Sequence, residues 1–142
     1  MEILIKSRAE IEKMIFSPKT AVISITDANW TFAEFKHQPD YLLQLAFDDV
    51  DNDIFEGEIP TEEIEQKYHM ISDKQANDIA DFYHAVVGKI DTIICQCEHG
   101  QSRSAAVAAA LMEYEYGQGI RVFIHDDYFP NKAVFKKVIQ YL

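Results

Sequence analysis

The sequence is poor in cysteine: Cys95 and Cys97 are the only two in 142 residues. Standing two apart on one segment, they are badly placed to reach disulfide geometry with each other, so the chain is not a disulfide-stapled scaffold. A Cys-x-Cys pair can begin a zinc site, but there is no second pair and the five histidines are scattered, so no metal is expected. Basic residues are few as well, 13 Lys and Arg against 24 Asp and Glu, a formal net charge of −11. That balance repels the backbone of nucleic acids and anionic lipid headgroups alike, and neither is an expected partner. Long apolar runs are missing: the longest uncharged one, around residues 105–112, falls far short of a membrane span. The start has no basic leader followed by an apolar stretch and a cleavage site, so the expected location is cytoplasmic. No repeat, low-complexity tract or Gly/Ser-rich linker divides the chain, which at 48% hydrophobic is read as one domain over residues 1–142.

What is present is an apolar period that alternates between strand and helix, the mark of an α/β protein. A short strand at residues 3–5 precedes a helix over 8–16 with Ile11, Met14 and Ile15 on one face. Strands are expected at 21–26 and 41–47, the second carrying Leu43, Leu45 and Phe47 on one side and ending in Asp48 and Asp49. Between them, residues 29–40 have no clean period; Trp30, Phe32 and Phe35 there are read as core rather than as pocket lining. Residues 51–60 look like an acidic, solvated loop, with a short helix from Thr61 to about Tyr68. Ser72 and Gln75 form a capping box for a helix with Ala76, Ile79, Ala80, Tyr83, Val86 and Val87 inward, ending at Gly88. An apolar strand at 92–95, a polar loop at 97–102 and an alanine-rich helix at 104–116, stopped by Gly117, follow in close order. Asn131 caps a last helix with Val134, Phe135, Val138, Ile139 and Leu142 inward.

The chemistry concentrates in Cys97-Glu98-His99-Gly100-Gln101-Ser102-Arg103-Ser104, which joins a buried strand to a helix. In α/β proteins such a junction is where anions bind. The backbone amides of Glu98, His99, Gly100, Gln101 and Ser102 can converge on phosphate oxygens, Gly100 permits a left-handed or crowded turn, and the helix start adds partial positive charge. Arg103 closes the cradle, its planar fork holding two oxygens at once. The same surroundings suit a thiolate nucleophile at Cys97. Ser104 either donates a hydrogen bond to that sulfur or caps the helix. Cys95 is read as packing rather than as redox protection, and His99 as structural rather than as acid or base.

Cys97, Gly100, Arg103 and Ser104 match the loop of the protein tyrosine phosphatase superfamily, in which a cysteine, five residues, an arginine and a serine or threonine follow one another with glycine third after the cysteine. The wider chain is similar to small bacterial proteins related to dual-specificity phosphatases, through residues 23–27, 47–50 and 129–131. The chain departs from the family at Gln96, where a histidine is usual, and at 51–70, which is longer and more acidic. The resemblance implies a cysteine-phosphatase fold, a central mostly parallel sheet flanked by helices. It also implies cofactor-free hydrolysis of phosphomonoesters through a phosphocysteine, on protein phosphotyrosine, with phosphoserine and phosphothreonine as further candidate substrates. An upstream aspartate would protonate the leaving oxygen. In related enzymes that acid has apolar residues two and four positions before it. Asp49 has Phe47 and Leu45 there, so it is the expected acid, and Asp48 is the brace or, with the roles exchanged, the acid itself. Two other readings stay open: a phosphate-binding module with little or no catalysis, and a rhodanese-like sulfurtransferase.

Overall fold

The structure is a computed structural model and describes residues 1–51 and 61–142. Most of the acidic loop expected over 51–60 therefore lies outside the described residues. Four parallel strands form one sheet in the order β1-β4-β2-β3, with β1 at Glu2–Ser7, β2 at Thr20–Thr26, β3 at Tyr41–Ala46 and β4 at Thr92–Cys97. The chain runs outward from β2 to β3 and then returns to insert β4 between β1 and β2. Parallel sheets of this kind present their ligand sites beyond the carboxyl ends of the strands, where the order reverses. Ser7, Thr26, Ala46 and Cys97 end the four strands on that side.

Alternation along the strands assigns residues to two layers. Ile3, Ile5, Ile23, Ile25, Leu45, Phe47 and Ile93 join the larger core, under α3 (Asp73–Val86), α4 (Arg103–Tyr116) and α6 (Lys132–Tyr141). Leu4, Val22 and Ile94 face the other way, against Ile11 of α1 (Arg8–Lys13). The Ser72 and Gln75 capping box is formed, and Asn131 caps α6 by accepting from the Val134 amide at 3.0 Å. Two short helices, α2 (Glu62–Lys67) and α5 (Ile120–Phe123), and a single 3-10 turn at Val87–Lys89 after α3 complete the described elements. Among the described residues no helix is long and apolar enough to cross a membrane.

Three expectations change. Helix α1 stops at Lys13 rather than at residue 16: Met14 is already extended, and Pro18 disfavours helical geometry at Ser17. Ile15 consequently leaves the apolar face and is 74% exposed. Trp30, expected in the core, is 68% exposed, and Phe32 is exposed too; only Phe35 of the three packs inward, against Phe16. Strand β4 runs on to Cys97, so the phosphate-loop cysteine is the last strand residue and the loop proper is residues 98–102.

Candidate active site

Cys97 is 2% exposed at the carboxyl end of β4, and its Sγ lies 3.0 Å from Ser104 Oγ. Ser104 is the second residue of α4 and fully buried, so its hydroxyl serves the sulfur and not a cap. The cap position belongs to Ser102, whose side chain makes no capping bond because it donates to Asp49 Oδ1 at 2.7 Å. Cys95, one rung back on the same face of β4, is completely buried, and burial pushes its thiol far up from the usual range. It is therefore a packed thiol with no nucleophilic character.

The loop between Cys97 and Arg103 is pressed against β1. Gly100 has φ +68°, and a Cβ there would stand 2.8 Å from Lys6 C and Ser7 N, so glycine is required both by the turn and by the contact. Glu98 and His99 precede it; the Glu98 carbonyl accepts from the Arg8 amide at 3.1 Å, and its carboxylate lies 3.7 Å from Arg8 Nη1. The Gln101 carbonyl accepts from the Phe129 amide at 2.8 Å and that of Ser102 from the Asn131 amide at 3.2 Å. The loop is thus braced on opposite sides by the segment after β1 and the segment before α6.

Arg103 is 4% exposed, and a buried guanidinium has to be paired. Its Nη1 holds Asp27 Oδ1 at 2.7 Å and donates to the Phe47 carbonyl at 2.8 Å. Its Nε is buried and has no hydrogen-bond partner among the described residues. One end of the fork is therefore anchored while a donor in the same plane is held out of water with nothing to bind, the arrangement expected of a group waiting for an anionic oxygen.

The two aspartates diverge. Asp48 Oδ1 accepts from the Ala28 amide at 2.9 Å and so ties the end of β3 to the turn after β2. Asp49 joins the loop: besides Ser102 it accepts from Asn131 Nδ2 at 2.8 Å. Both bonds fall on Oδ1. Gln96, in the place of the usual histidine, points to the opposite face from Cys97 and accepts from Ser24 Oγ at 2.5 Å across the sheet. Its side chain is a rung between β4 and β2.

Three residues of this site had escaped the sequence reading. Asp27 ends a strand whose seven residues are all buried, and a carboxylate directly after such a run at a carboxyl edge is the signal that was available. Arg8 holds the same place after β1, where it donates to the Thr31 and Phe32 carbonyls at 2.8 and 2.9 Å. Asn131, read only as a cap, uses its amide on Asp49 and on the Val50 carbonyl at 3.1 Å while its oxygen caps α6.

No protein-family model and no curated protein sequence matches the chain. Among solved structures it is similar to a human tyrosine phosphatase-like serine/threonine/tyrosine-interacting protein, with a TM-score of 0.63 at 14% identity over 98% of this chain and 89% of that one. A structure of PTPMT1 aligns over 99% and 88% of the two chains at 15% identity, with a TM-score of 0.45 that is too low to carry weight. The chain has the fold of the protein tyrosine phosphatase superfamily.

Proposed function

We propose that this chain is a cysteine-dependent phosphomonoesterase that hydrolyses phosphotyrosine in proteins without metal or cofactor. The observation that carries the reading is the buried Arg103 guanidinium, anchored at Nη1 and without a partner at Nε among the described residues, directly before the serine that touches Cys97 Sγ. Cys97 Sγ attacks phosphorus, the bond to the ester oxygen breaks, and the Asp49 carboxyl proton passes to that oxygen. The loop amides and Arg103 hold the equatorial oxygens as charge spreads over them. In the second half Asp49 takes a proton from water, the water oxygen bonds to phosphorus, and the sulfur leaves with the Ser104 hydroxyl donating to it. A binding-only module or a sulfurtransferase gives the paired bonds on Asp49 Oδ1 no task. A nucleophile of this kind has to stay reduced, which favours action in the cytoplasm.

Cys97→Ser is expected to lower turnover of an aryl phosphate by roughly 1000-fold or more, since a hydroxyl is a far weaker nucleophile near neutral pH. Vanadate and phosphate should still bind the variant, as the cradle is intact. Substantial turnover by a clean Cys97→Ser preparation would remove the covalent mechanism.

A further inference from the structure

β1 is an edge of the sheet, and the outer side of its backbone is open over a short, bounded stretch. The Glu2 amide donates to the Asp91 carbonyl at 2.9 Å, so in this parallel ladder Glu2, Leu4 and Lys6 aim their main-chain groups at β4, and Ile3 and Ile5 aim theirs away from it. At one end of the edge the Met1 carbonyl accepts from Tyr116 Oη at 2.9 Å, and at the other the Ser7 amide donates to Glu10 Oε1 at 3.0 Å. Between these ends, the N–H and C=O groups of Ile3 and Ile5 have no hydrogen-bond partner among the described residues. The same stretch lines a groove of about 470 Å³, faced by Met112, Tyr116 and Val122. An uncovered row of donors and acceptors on β-branched residues is a template for a further strand.

We infer that the strand filling this place is β1 of a second copy of the chain. Glu2-Ile3-Leu4-Ile5-Lys6 is self-complementary about Leu4. In an antiparallel pairing with a two-fold axis there, Glu2 faces the partner's Lys6, Ile3 faces the partner's Ile5, and Leu4 faces its own counterpart. The backbone agrees with this register. Ile3 and Ile5, which carry the open groups, fall at the hydrogen-bonded pairs, and the charged residues fall at the non-hydrogen-bonded pairs, where side chains stand closest. Sliding one strand by a single residue sets outward groups against inward ones, and sliding it by two breaks both ion pairs. A lysine on a sheet edge ordinarily keeps other strands away. Here Lys6 has Glu10 at 3.9 Å, and the pairing sets a second carboxylate directly opposite. The result is one continuous sheet through both copies, with the two phosphate loops opening at opposite ends.

Sedimentation velocity over a concentration series tests the pairing on the intact chain, and amide hydrogen exchange locates it. A concentration-dependent dimer is expected, with the Ile3 and Ile5 amides slowed as it forms. Neither Glu2 nor Lys6 is buried, so both can be reversed without disturbing the core. Glu2→Lys and Lys6→Glu should each weaken the dimer by about tenfold or more, because each sets like charges against one another on both sides of the axis. Glu2→Lys also lowers the net negative charge, which by itself favours association, so weakening by that variant isolates the pair. The double variant, Glu2→Lys with Lys6→Glu, keeps the net charge and should return to within about threefold of the parent. A chain that stays monomeric up to about 1 mM overturns the inference. So does a dimer that tolerates both single reversals, a double variant no better than the singles, or a dimer that leaves the Ile3 and Ile5 amides unprotected. If the chain stays monomeric and an added extended peptide slows those amides, the edge receives a foreign strand and the inference is equally overturned.

Discussion

Asp49 and Asp48 stand side by side just beyond the end of β3 and bond to different partners. Asp49 is tied into the phosphate loop through Ser102 and Asn131, and Asp48 into the turn after β2. Asp49→Asn is therefore expected to lower kcat by roughly 100-fold on a poor leaving group such as phosphotyrosine and to flatten the basic limb of its pH profile. With a good leaving group most of that loss should vanish, because little protonation is needed. Asp48→Asn should show no such dependence on the leaving group; the reverse pattern would exchange the two roles. The sequence alone pointed to Cys97, Arg103 and Ser104 because loop spacing names them, and the structure brings Ser104 Oγ to the Cys97 sulfur. It missed Asp27 and Arg8 because their importance comes from strands meeting at one edge, which no local spacing encodes. Trp30 was misjudged for a related reason: an aromatic in a segment without period carries no sign of which way it faces.

At the scale of elements, the strand–loop–helix unit was legible almost residue by residue. Apolar β4, polar loop and alanine-rich α4 each announce themselves, and Gly117 ends α4 with φ +66°. The caps of α3 and α6 were equally plain, since Ser72, Gln75 and Asn131 satisfy amides that every helix start leaves open. The end of α1 was not, because the chain leaves it to reach β2 and tertiary routing overrules the apolar period. Gly100 shows how tightly the unit is built. Gly100→Ala is expected to cost roughly 1–3 kcal/mol or more, since the turn becomes strained and the new methyl meets β1 backbone. Thermal or urea unfolding checks the stability loss, and vanadate affinity should fall with it as the loop is pushed off β1. A fully stable variant with normal vanadate binding would mean that β1 gives way easily.

Over the whole molecule the dominant quantity is charge. Carboxylates outnumber basic side chains, and those near the loop include Asp27, Asp48, Asp49 and Glu98. A phosphopeptide with lysines beside the phosphotyrosine should be turned over with a kcat/KM roughly tenfold above one with glutamates, from steering alone. Added salt should shrink the difference by slowing the first and speeding the second, and a ratio independent of salt would assign any preference to direct contacts instead.

Helix α4 is buried without interruption from Arg103 to Leu111 and packs against β1, β2, β4, α5 and α6. Its many alanines let those neighbours close onto its backbone, so no single one can be peeled away to free it. Functional loops are commonly drawn from the least stable part of a protein, but here the anion cradle begins the most enclosed helix. The residues that open α4 are therefore positioned by the core itself and not by a segment that can move apart from it.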